Sequence, residues 1–216
     1  MTREEYKKRF NILNYFFTEA YLSFYIWKGL QDKAFEKTFL ENPRFWSATL
    51  LAIENTWLSG LAKIYEDSEY SKKAKVISVY ALLPYQTDSV RAAKVQNILE
   101  LNSNVIKNII ILRQHQLAHN NAQHLMNPKA ILKRFPIVYA DVEKLLLSSG
   151  EILSNLNPDK GYGYEYKMWA DDCEHDGKDV IKKLQYYSKL RREHYDKLKR
   201  GEIDDWQFPP TQSLAN

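Results

Sequence analysis

After Asn42-Pro43, the large apolar residues Trp46, Leu50, Ile53, Trp57, Leu61 and Ile64 recur at intervals of three and four. That period is helical, so the stretch predicts an α-helix whose tryptophans anchor a core. An N-cap type asparagine followed by proline at the first helical position marks its start. The same spacing runs through residues 3–29 in Phe10, Leu13, Phe16 or Phe17, Ala20, Phe24 and Trp27. Further helices are expected at VISVYALL, ending at Pro84, and after Thr87 or Asp88, through Val90, Val95, Ile98, Leu99 and Leu101. Asn102, Ser103 and Asn104 kink or interrupt that run before Val105, Ile106, Ile109, Ile110 and Leu112 resume it. Two more helices are expected from about Val138 to Leu156 and from about Lys178 to Arg200. No strand period and no internal repeat is visible. Seven glycines and seven prolines in 216 residues are few for a turn-dense β architecture. The reading is an all-α helical bundle.

Four stretches are expected. Residues 1–156 form the bundle, and 157–176, rich in glycine, tyrosine and acid, form a loop. Residues 177–200 form a basic helix packed on the same domain, and 201–216 a flexible, frayed tail. With 44% hydrophobic and 27% charged residues the composition is that of a soluble globular protein, not a disordered one. A net charge of +4 permits a polyanionic partner without demanding one. The single cysteine, Cys173, excludes an intrachain disulfide framework and fits a reducing cytoplasm. The N-terminus MTREEYKKRF lacks the apolar run of a signal peptide, and no stretch of about 18 apolar residues exists for a membrane span. A cytoplasmic protein with no membrane partner is expected.

The candidate chemistry lies at ILRQHQLAHNNAQH, residues 111–124, where a strongly apolar helix delivers Arg113 and, six residues on, His119. Arginine supplies a permanent charge and a bidentate fork for phosphate oxygens. Histidine supplies a proton donor or acceptor near neutral pH. Together they suit cleavage of a phosphodiester, with RNA the leading substrate. Six helical residues rise about 9 Å and rotate about 600°, which leaves the two side chains about 120° apart. Metal-free attack by the neighbouring 2′-hydroxyl needs a base, an acid and a positive clamp, and one protomer offers one histidine at the obvious place. A two-fold dimer joining two such helix ends would complete the site. The same spacing also fits two cations that favour a helix C-terminus and do no chemistry.

The string LRQHQLAH resembles the arginine–polar–variable–Ala–His signature of HEPN-domain ribonucleases. The segment FWSATLLAIENTWLSGLAKIYEDSE is similar to the aromatic-rich helix of the AbiU-type abortive-infection branch, its ending falling on Leu61 to Asp67. The resemblance spans roughly residues 5–156. It implies a dimerising α-helical bundle with its Arg–His motif at the dimer cleft, cutting RNA without a metal or other cofactor. It also implies a role as a toxin or in phage defence, with a cognate antitoxin as a possible partner. The catalytic pair maps onto Arg113 and His119, with Gln114 and Asn120 in support. Gln114 departs from the Asn, Asp or His frequent there. Asn121 replaces a tyrosine that antitoxins modify in some relatives.

His115, His119 and nearby His124 lack the companion carboxylates or HExxH pattern of a metal site, so no metal is assigned. The helix at 178–200 interleaves lysines and arginines with Tyr186, Tyr187 and Tyr195, so Arg191, Arg192 and Lys197 are candidate nucleic-acid contacts. A solvated charged face is the plainer reading of that helix. GYGYEYKMW fits an aromatic clamp for bases or, more plainly, a cover over the bundle. Cys173 beside His175 has no third member to make it a nucleophile. The rival to a ribonuclease is a non-catalytic helical dimer that binds nucleic acid or a partner protein.

Overall fold

The computed structural model describes residues 1–66, 76–114, 136–159 and 166–202. Among these residues the chain is all-α, with no strand. The helices are α1 (Arg3–Leu30), α2 (Glu36–Glu41), α3 (Pro43–Tyr65), α4 (Val79–Leu82), α5 (Ser89–Leu101), α6 (Ser103–Arg113), α7 (Tyr139–Leu156) and α8 (Tyr166–Lys199).

Helix α1 is the spine. Thr2 opens it, its hydroxyl accepting from the Glu5 amide at 3.2 Å, and Glu4 and Glu5 complement the helix dipole. Its predicted apolar face is buried, with Phe17 rather than Phe16 taking the fully inward position. Helix α3 packs along α1, and Trp57 meets Phe24 edge-on at 5.6 Å and Trp27 at 6.1 Å. Pro43 holds the first helical position as expected, but the Asn42 side chain makes no capping hydrogen bond. Before it, the sequence reading missed a 3₁₀ turn (Lys33–Phe35) and α2, which seat Phe35 against Leu30, Trp46 and Ile181 in a small second core.

Asp88, not Thr87, caps α5, accepting from the amides of Val90 and Arg91 at 3.1 and 3.2 Å. Asn102 does interrupt the run: its side-chain amide donates to the Ile98 carbonyl at 2.8 Å, closing α5 before α6 begins. Of VISVYALL only Val79–Leu82 is α-helical, and a 3₁₀ turn (Leu83–Tyr85) accommodates Pro84. α5 lies against α7, and α6 is held between α3 and α7.

The expectation of a loop across 157–176 is corrected in its second half, because α8 already begins at Tyr166. Two glycines, Gly177 of α8 and Gly29 of α1, are what let this helix close on α1. A Cβ added at Gly177 would stand 3.0 Å from the Ile26 carbonyl oxygen, and one at Gly29 would collide with the Glu174 carbonyl. Asp171, Asp172, His175 and Asp176 stay on the solvent side while Ala170 and Ile181 face inward. Residues 160–165 and 203–216 lie outside the described residues. Past the end of α8 the chain turns at Gly201, whose φ of 69° suits glycine, with the Glu202 amide donating to the Lys197 carbonyl at 3.0 Å. No helix among the described residues is long and apolar enough to cross a membrane.

Candidate functional site

Ile106, Ile109 and Leu112 fix the roll of α6 by burying one face in the core. That face carries the chain to Arg113, the last residue of α6. Gln114 still holds helical dihedrals (−62°, −41°), and its amide donates to the carbonyls of Ile110 and Ile111. Arg113 and Gln114 are both half-buried. Among the described residues no carboxylate pairs with Arg113. A guanidinium partly withdrawn from water without a counter-charge is poised for an anion. His119 and Asn120, and with them His115 and His124, lie outside the described residues.

Gln114 also lines a cavity of about 320 Å³ between α6, the C-terminal end of α3 and α4. Its walls are Ile106, Ile110 and the rings of Tyr65 and Tyr80, and its rim carries Glu66, Ser103 and Lys107. Tyr65 is anchored there because its hydroxyl meets Ser149 Oγ of α7 at 2.5 Å. Burial pushes the Tyr65 phenol well above its ordinary range, so it is a neutral donor. The sequence reading missed Tyr80 and Lys107. The one available signal was spacing: Lys107 precedes Gln114 by two helical turns and shares its face.

The candidate contacts Arg191, Arg192 and Lys197 stand exposed on the C-terminal half of α8. Arg192 is already paired with Glu41 of α2 at 2.8 Å. Arg191, Arg192, Tyr195 and Asp196 line a separate cavity of about 580 Å³, which includes no described residue of α6. The two candidate surfaces are therefore not one cleft among the described residues.

Another cavity, about 640 Å³, lies at the start of α1 and α5. Two of its polar residues, Tyr6 and Arg91, are committed to the end of α7. The Tyr6 hydroxyl donates to the Leu156 carbonyl at 2.7 Å, and Arg91 donates to the carbonyls of Ser154 and Asn157. These two side chains satisfy the orphan carbonyls of a helix terminus, which is a structural role. Burial, helped by Asp176 and Asp172, raises the Cys173 thiol above its ordinary value, which disfavours a nucleophilic thiolate. Among the described residues no group of three metal-ligating side chains occurs.

A comparison with protein families matches residues 4–180 to the HEPN family model described as AbiU2. No curated protein and no solved structure gave a match.

Proposed function

Because this chain belongs to the AbiU2 family of HEPN domains, we propose that it is a metal-independent endoribonuclease of a toxin or phage-defence system, acting through Arg113 and His119 at a dimer cleft. The observation that carries this reading is Arg113 itself. It is delivered half-buried by an apolar helix, has no ion-pair partner among the described residues, and adjoins an open cavity through Gln114. Arg113 would hold the scissile phosphate and stabilise the charge that grows on its oxygens. His119 would take the proton of the 2′-hydroxyl as its oxygen bonds to phosphorus. The bond from phosphorus to the 5′ oxygen then breaks, and that oxygen receives a proton from the histidine of a second copy. Gln114 and Asn120 would orient these groups. The products are a 2′,3′-cyclic phosphate and a 5′-hydroxyl, formed without a cofactor.

The test uses protein purified in EDTA and incubated with RNA, beside Arg113→Ala and His119→Ala. Loss of cleavage in both variants supports the reading, and equal residual cleavage by all three removes it. The exposed Arg191 and Lys197 favour a second reading, a non-catalytic dimer that binds nucleic acid. Salt-sensitive RNA binding with no cleavage would select it.

A further inference from the structure

We infer that the cavity between α6, α4 and the C-terminal end of α3 is a nucleobase subsite, which takes the base of a nucleotide neighbouring the phosphate at Arg113. The inference rests on the proposed nuclease reading for its substrate, single-stranded RNA. About 320 Å³ lies at the low end of small-ligand pockets (about 300–1,000 Å³), a size for one base and part of its sugar. The lining suits a base: the Tyr80 ring and the apolar Ile106 and Ile110 for its faces, with Glu66, Ser103, Lys107 and Gln114 as hydrogen-bonding groups for its edges.

The rim charges carry the inference furthest. Glu66 and Lys107 have opposite signs and line the same cavity, yet among the described residues neither forms an ion pair. Two opposite charges held apart around an opening suit a guest with both a donor edge and an anionic backbone. Lys107 sits two turns before Gln114, about 10 Å along α6, so a strand that passes from Arg113 onto the Gln114 face meets its ammonium. Glu66 accepts hydrogen bonds only, which favours a base that offers an amino group over uracil. The subsite thus gives the site a sequence preference that Arg113 and a histidine alone cannot supply.

The experiment measures fluorescence anisotropy of labelled 2′-O-methyl oligonucleotides, one of cytosine and one of uracil, with the full chain. Their blocked 2′ position prevents cleavage. The variants are Lys107→Ala and Ser103→Trp, both at exposed positions, and Glu66→Gln, with circular dichroism confirming the fold. The wild type is expected to bind the cytosine strand more tightly than the uracil strand. Lys107→Ala and Ser103→Trp should each weaken binding about tenfold, and Glu66→Gln should narrow the difference between bases. Equal affinity across wild type and variants overturns the subsite. A wild type that binds in this pattern but leaves ordinary RNA intact keeps the subsite and removes the nuclease reading. RNA cleavage whose KM and base preference are unmoved by Lys107→Ala and Ser103→Trp does the reverse.

Discussion

At the scale of single residues, the buried hydrogen bonds and Arg113, which has no ion pair among the described residues, make opposite kinds of demand. Ser149 Oγ donates to the Leu145 carbonyl at 2.6 Å, so the Tyr65 hydroxyl is the donor in the bond between them. Tyr65→Phe removes that donor and leaves Ser149 bonded to its helix, at a cost of about 1 kcal/mol. Ser149→Ala strands a fully buried phenol and should cost more, about 2–3 kcal/mol. Urea denaturation of the two variants checks the order, and a larger loss in Tyr65→Phe contradicts it. Arg113 makes no such structural contact among the described residues, so its replacement should spare stability and strike activity. Arg113→Lys keeps the charge but loses the planar fork, and is expected to lower kcat/KM about 10–100-fold with a melting temperature near that of the wild type.

At the scale of elements, two helix crossings depend on missing side chains. Gly60 lets α3 approach α1, where an added Cβ would stand 2.8 Å from the Ala20 Cβ. Gly29 and Gly177 do the same for α1 and α8, and in both cases the obstacle is backbone, which cannot rotate away. Gly29→Ala is therefore expected to destabilise the fold by about 1–3 kcal/mol, and Gly177→Ala, with its longer contact of 3.0 Å, by less. Thermal unfolding measures both, and an unchanged Gly29→Ala would show that the crossing has slack. These contacts also explain which helices were legible. The periods of α1 and α3 repeat large apolar residues, which only a helix places on one face. The first half of α8 instead presents Ala170, Gly177 and a row of acids, and its partner is the backbone of α1. A composition reading has no access to that partner.

At the scale of the whole molecule, one charge cluster joins three helices. Lys28 of α1 meets Glu143 of α7 at 3.1 Å and Glu174 of α8 at 3.0 Å, and Glu174 also meets Lys178 at 2.7 Å. The hydrogen bond from Lys178, reinforced by Lys28, outweighs burial and holds the Glu174 carboxyl below its ordinary value of 4.5. Between the folded and unfolded values the unfolded chain binds more protons, so this contribution is complete above about pH 5 and fades as pH falls through the folded value. Glu174→Gln is expected to flatten the fall of melting temperature below pH 5, and an unchanged slope would remove Glu174 from the acid response. Burial alone would lower the Lys28 ammonium, yet its bonds to Glu174 and Glu143 raise it above 10.5, so its share is lost only in strong alkali. The proposed shared cleft makes a further prediction at this scale. Specific RNase activity should fall on dilution as dimers, seen by light scattering, give way to monomers. Activity that stays proportional to protein through that transition would restore a complete site to each chain.

The sequence by itself determined the helical class, the spans of α1 and α3, the break at Asn102 and the delivery of Arg113 by an apolar helix. Each of these follows from local periodicity or from a side chain bonding its own backbone, and such causes lie within a few residues of their effects. The cavity beside Gln114 and the cluster around Lys28 were decided only by tertiary structure. Their members come from positions as distant as 66, 80 and 107, or 28, 143 and 174. What places them together is the roll and crossing of helices, set by core packing and by close approach at glycine. No spacing along the chain encodes that geometry.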